Sequence, residues 1–90
     1  MFRGEYGSII DIQVNGLDLG SVASATLRFE RPDKTVFDRT PIRYGQNYRY
    51  VLQVGDIGVN GNWRMQLIFT LKDGSPRLGS AMMFNVEDAL

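Results

Sequence analysis

GNWRMQLIFTLKDG, residues 61 to 74, decides the fold. Trp63, Met65, Leu67, Phe69 and Leu71 recur at every second position, with Arg64, Gln66, Thr70 and Lys72 between them. Side chains of an extended strand point alternately to opposite faces, so the stretch presents one apolar wall and one wetter wall. Ile68 is the single departure from the pattern. Gly61-Asn62 ahead of it and Asp73-Gly74 behind it tolerate positive φ and mark the ends of the strand.

The same period of two recurs on both sides. In residues 8 to 14, Ile10, Ile12 and Val14 share a face before Asn15-Gly16, a strong turn dipeptide. Ala23, Ala25, Leu27 and Phe29 then alternate with Ser24, Thr26, Arg28 and Glu30. Arg31-Pro32-Asp33-Lys34 predicts a tight turn leading into residues 35 to 40, because Pro32 fixes φ and Asp33 can hydrogen-bond its own backbone two residues on. Pro41 has no N–H to donate and ends any ladder; residues 41 to 46 pass over into 47 to 54, where Tyr48, Tyr50, Leu52 and Val54 share a face.

Residues 55 to 62 form a Gly- and Asn-rich loop with room for a short helical turn at 55 to 58, and 75 to 80 a second loop. Residues 81 to 88 supply a last strand with Met82, Phe84 and Val86 on one side, and Asp88-Ala89-Leu90 a tail able to continue into a partner. Six or seven short strands without a long helix imply an all-β domain of two antiparallel sheets face to face, or a small barrel. The sandwich is the expected form.

A chain of 90 residues is one domain, 1–90, burying roughly 60 to 65% of its unfolded surface in a single modest core. With no cysteine there is neither a disulfide framework nor a thiolate metal site. Ten basic and ten acidic residues cancel, and no run of like charge suggests a surface that follows phosphates, so nucleic acid is not an expected partner. No apolar run approaches the roughly 20 residues that span a bilayer, and MFRGEYGS carries no signal-like stretch. The expectation is a soluble chain made in the cytoplasm, with no membrane partner.

Histidine is absent, which removes the commonest general base and the commonest transition-metal ligand, and the acidic residues show no paired spacing. No catalytic residue, cofactor or metal is therefore expected. Asp56, Asn60 and Asn62 lie in one loop where calcium ligands can converge, yet Asp and Asn are also ordinary turn residues. Tyr48, Tyr50 and Trp63 begin apolar alternations and are expected to be buried with polar tips near the rim.

Arginine outnumbers lysine eight to two, and its planar fork is favoured at protein interfaces. Arg28, Arg39, Arg43, Arg49 and Arg64 are expected to gather on the outer faces of neighbouring strands and, with Tyr44, to form an interaction surface. The alternative for the same arginines is a solvated face with cross-strand pairs to Glu30 or Asp38. Unpaired edge strands invite other chains, so self-association or attachment through an edge is a physical expectation.

Gly4-Glu5 stands ahead of the first strand, Asp18-Leu19-Gly20-Ser21 with Ala23 and Ala25 opens the second, and Pro32-Asp33-Lys34 turns out of it. Asp56, Gly61 and Trp63 lead into the stretch quoted first. In this order the chain resembles, over nearly its whole length, the Ig-like β-sandwich domains of tailed-bacteriophage structural proteins, such as the N-terminal domain of baseplate upper proteins and small tail or head-fibre attachment domains. Lys34 stands where that group usually has glycine. The resemblance implies a non-enzymatic virion structural or adaptor protein of tail, baseplate or capsid, with other phage structural proteins as partners and a homo-oligomeric state. The alternative is a small module binding carbohydrate or the host surface, stacking a glycan on exposed Tyr44, Tyr48 or Trp63.

Overall fold

The computed structural model describes residues 1–88; the expectation of a tail at Ala89 and Leu90 lies outside them. Eight strands follow in order: β1 (Ile9–Gln13), β2 (Val22–Glu30), β3 (Val36–Arg39), β4 (Ile42–Tyr44), β5 (Asn47–Val51), β6 (Gly61–Leu71), β7 (Pro76–Leu78) and β8 (Met82–Val86). They build two antiparallel sheets. One has the order β1-β5-β4; the other has the order β3-β2-β6-β7, with β8 also on β6. The chain is a small antiparallel β-sandwich.

The opening stretch is its central strand. On β6, Trp63, Leu67, Phe69 and Leu71 are buried, and across the ladder Leu27 lies against Leu67 and Phe29 against Met65. The small sheet covers this wall with Ile10, Tyr48 and Tyr50, and Leu52 follows just beyond β5. Aromatic rings fill one end of the sandwich: Phe29 stacks on Phe37 at 4.9 Å, Trp63 on Phe84 at 5.8 Å, and Phe37 meets Trp63 edge-on at 6.1 Å. Such pairs add roughly 0.5 to 1.5 kcal/mol each beyond the area they bury.

Six or seven strands were expected and eight are present among the described residues, because two three-residue strands carry no period long enough to read. β4 arises inside the passage after Pro41, at the point where the chain leaves the large sheet for the small one. β7 arises inside the 75–80 loop. β7 and β8 run one after the other along the same edge of β6: Pro76 to Leu78 face Thr70 to Ile68, and Met82 to Val86 face Met65 to Gly61. Three residues between them oppose two on β6, which is a bulge.

Other departures have local causes. Ala23 does not join Ala25 on the inner face, because a bulge between Val22 and Ser24 shifts the register and brings Val22 against the core instead. Val54 does not join Tyr48, Tyr50 and Leu52; the chain leaves the strand after Val51 and turns, with Val54 80% exposed. The loop that follows is not solvent-filled, since Ile57 is fully buried. Leu19 is likewise buried, from a single 3-10 turn that Asp18 caps by accepting the Gly20 N–H at 2.9 Å.

The β2–β3 and β6–β7 hairpins are built alike. At Arg31-Pro32-Asp33-Lys34-Thr35, the Lys34 N–H donates to the Arg31 carbonyl, the Arg31 N–H to the Thr35 carbonyl, and Asp33 accepts from both the N–H and the hydroxyl of Thr35. Leu71-Lys72-Asp73-Gly74-Ser75 repeats every one of these bonds. The fourth residue of each has positive φ, 87° for Gly74 and 74° for Lys34. A side chain in that region costs roughly 1 to 2 kcal/mol, while glycine gives back part of the gain as unfolded-state entropy. Lys34→Gly is therefore expected to stabilise the protein by about 1 kcal/mol in urea unfolding; a neutral or destabilising result would deny the left-handed conformation.

Candidate functional site

The outer face of the three-stranded sheet brings several exposed apolar residues side by side. Register places Ile9 beside Val51, and Ile42, Arg49 and Asp11 in one row across the three strands. Ile9 and Ile42 are each 63% exposed and Tyr44 53%. Together with Thr40 and Val51 they line a shallow hollow of about 400 Å³. Arg49 crosses its floor: the guanidinium lies 4.7 Å from the centre of the Tyr44 ring, and Nε donates to Asp11 at 3.2 Å. Asn47 donates to the other Asp11 oxygen at 2.9 Å. An aromatic ring and a stacked arginine amid aliphatic side chains is the composition of an interface centre rather than of a solvated face.

The expected gathering of arginines does not occur. Arg28 and Arg64 lie on the outer face of the other sheet, each forked onto a carboxylate of the neighbouring strand: Arg28 to Asp38 at 2.8 and 3.0 Å, Arg64 to Glu30 at 3.0 and 2.8 Å. The Arg64 fork holds the Glu30 carboxyl below its ordinary pKa. These are exposed cross-strand pairs that water screens, the solvated-face arrangement. Arg43 is paired with Tyr48 in the register, so it departs from the face that bears Arg49, and its Nε donates to the Gly45 carbonyl at 2.9 Å. Of the six residues, only Tyr44 and Arg49 meet at the hollow.

Arg39 has a different task. Its Nε and Nη2 both donate to one oxygen of Asp56, at 3.1 and 2.8 Å. The other oxygen accepts the Tyr50 hydroxyl and the Gln53 N–H. The Asp56 side chain is 1% exposed, so this is a buried carboxylate with every lone-pair direction used. Arg39 stands on the large sheet, Tyr50 on the small one and Asp56 on the loop below, which makes the group a clasp between the layers. The guanidinium also lies 4.7 Å over the Phe37 ring.

Asp56 is thus engaged with these donors, not with Asn60 or Asn62. Asn60 donates to Asp88 at 3.2 Å and Asn62 accepts from Asn85 at 2.9 Å, so the three residues weighed as calcium ligands do not converge. Among the described residues no group of three or more acidic ligands is close enough to hold a metal. Trp63, fully buried with its indole N–H on the Val59 carbonyl at 3.1 Å, and buried Tyr48 cannot serve as a sugar platform, which leaves Tyr44 alone.

The Ile9, Ile42 and Val51 surface was not singled out from the sequence. Its signal was the apolar residue on the nominally wet side of each strand, which becomes meaningful only when the register sets three of them side by side. Comparison with protein-family models, curated proteins and solved structures returns no significant match.

Burial alone would raise the Asp56 pKa, but the bonds from Tyr50, the Gln53 amide and Arg39 outweigh it and hold the carboxyl below 3.8. A depressed folded pKa contributes stability above the unfolded value, and that contribution is lost as pH falls through the folded one. Asp56→Ala, which leaves the Arg39 and Tyr50 donors without their acceptor, is expected to cost about 3 kcal/mol at neutral pH. The difference between wild type and variant should shrink below about pH 4. Urea unfolding across pH 2.5 to 7, taken as roughly this window, checks both expectations; a difference independent of pH would contradict the charged clasp.

Proposed function

We propose that the chain is a non-catalytic structural or adaptor domain of a bacteriophage virion, an Ig-like sandwich that attaches to tail, baseplate or capsid proteins through the outer face of its three-stranded sheet. The observation that carries the binding role is the exposed Ile9, Ile42 and Val51 surface with Tyr44 and Arg49 stacked at its centre. Soluble monomers rarely leave such a contiguous apolar patch uncovered. The virion setting is supported by the resemblance in turn residues and apolar alternation along nearly the whole chain, and by the antiparallel sandwich form that the resemblance implies. A homo-oligomer fits the same reading, since virion parts repeat around symmetry axes.

The test is mass spectrometry of purified particles of the phage that encodes the chain. The protein should be present at a fixed copy number, and its absence would overturn the reading. Tyr44→Ala combined with Ile42→Ser should leave the unfolding midpoint nearly unchanged and weaken incorporation at least about tenfold, the loss of a modest interface centre. Full incorporation of the double variant would place the contact elsewhere.

A further inference from the structure

The sandwich is closed along one side and open along the other. On the closed side, the crossover from β3 to β4 passes through buried Pro41, and the Asp56 clasp lies beneath it. On the open side, β1 faces the break between β7 and β8 without pairing to either. A groove of about 260 Å³ separates them, lined by Ile12, Val14, Leu67, Phe69, Gly79 and Met82. It continues past Asn15 and Leu17 toward Arg77. Its walls are held in place. The Gln46 amide donates to the carbonyls of Val14 and Leu17, both at 2.9 Å, and the Gly79 N–H donates to the Leu67 carbonyl at 2.8 Å.

The same side presents an unpaired strand edge. The Leu52 N–H donates to the Ser8 carbonyl and the Val14 N–H to the Gln46 carbonyl, so Ser8, Ile10, Ile12 and Val14 turn their backbone toward β5. Ile9, Asp11 and Gln13 therefore turn theirs outward. Among the described residues nothing pairs with them. The other edges are blunted. β4 has three residues and follows Pro41, β7 begins with Pro76, β3 is only four residues long, and residues 1–3 run beside the end of β8 with the Arg3 N–H on the Glu87 carbonyl.

We infer that this seam accepts an extended segment of a partner protein, laid along β1 as an added strand. Its side chains opposite Ile10, Ile12 and Val14 turn inward, so the groove calls for apolar residues at alternate positions. Asp11, the only charged residue of β1, is paired with Arg49 on the β5 side and still favours a basic over an acidic residue opposite it on the outer face. Asp11 also argues against a second copy. Antiparallel self-pairing that uses all three outward residues sets Asp11 against Asp11, like charge on like charge. The inference rests on the binding role proposed above and names the partner's chemistry, a strand with an apolar-basic alternation.

The probe is the peptide acetyl-Thr-Val-Lys-Val-Thr-Val-amide, titrated to about 1 mM into the isotopically labelled full chain and followed by NMR. The amides of Ile9, Asp11 and Gln13 and the methyl groups of Ile12, Val14, Leu67 and Met82 should shift together. Replacing the valines with serine should abolish the effect, and replacing the lysine with glutamate should weaken it about fivefold. Gln13→Pro, which removes an outward N–H at an edge position that tolerates proline, should fold normally and lose binding.

Shifts confined to Ile42, Tyr44 and Arg49 would overturn the seam while leaving the sheet face standing as the binding surface. No shift anywhere at about 1 mM would overturn it as well. Concentration-dependent shifts at β1 without peptide would overturn the choice of partner in favour of a second copy.

Discussion

A single buried carboxylate ties the two layers together. Asp56 receives Arg39 from the large sheet, Tyr50 from the small sheet and the Gln53 amide from its own loop. Residues 1–7 add backbone bonds at one end, to Glu87 beside β8 and to Leu52 and Ile57 beyond β5. The interior connections between the layers are otherwise largely apolar contacts, which favour burial but do not choose among sliding arrangements. Four directed hydrogen bonds on one residue do choose, and they fix β5 relative to β3. Burial raises the Tyr50 phenol above its ordinary pKa, and the nearby Asp56 adds to the shift, so its proton stays on the hydroxyl and the bond to Asp56 persists across the neutral range. The same clasp positions Ile57, which is fully buried next to it and completes the core at that end.

With one side clasped, the opposite side bears whatever freedom the domain has. The aromatic cluster of Phe29, Phe37, Trp63 and Phe84 fills the end of the sandwich that β8 covers. At the other end Ile12, Val14 and Met82 are only partly buried, and the groove runs between them. β1 meets β5 alone. The three-stranded sheet thus offers an apolar outer face beside an open edge, whereas the outer face of the five-stranded sheet carries the forked ion pairs of Arg28 and Arg64, with exposed Val36 and Met83 flanking the Glu30–Arg64 pair. On the proposed reading, the large sheet is scaffold and the small sheet makes the contact.

Much of the scaffold was legible because long strands with one buried face write their period into the sequence. β6, β2, β5 and β8 are of this kind. β4 and β7 are too short to show a period, and their positions depend on where a neighbouring ladder happens to extend. Leu19 and Ile57 were unreadable for another reason: each is a lone apolar residue in a turn, and its burial is decided by what lies across from it. The arginines show the limit most clearly. Sequence predicts which side of a strand Arg28, Arg39, Arg43, Arg49 and Arg64 occupy only if the strand lies where expected, and it says nothing of which sheet carries that strand. Once β3 and β5 are assigned to different sheets, the arginines separate into two screened pairs, a clasp, one residue stacked on Tyr44 and, in Arg43, a donor to the turn at Gly45.

Lys34 shows a local rule yielding to a global one. The turn demands a left-handed residue, the β2–β3 hairpin demands the turn, and lysine adopts φ of 74°. Gly61, with φ of 124° and no room for a Cβ, which would lie 2.8 Å from the Pro32 ring, keeps the first residue of β6 against that same turn. Native-state hydrogen exchange measured residue by residue tests the central claim, that one side is fastened and the other open. The account predicts that the amides of β2, β6 and the Gln53–Asp56 turn open only with global unfolding, while Ile9, Asp11 and Gln13 exchange freely and Ile10 and Ile12 open at a lower free energy. Protection of β1 equal to that of β5 and β6, on both of its edges, would contradict it.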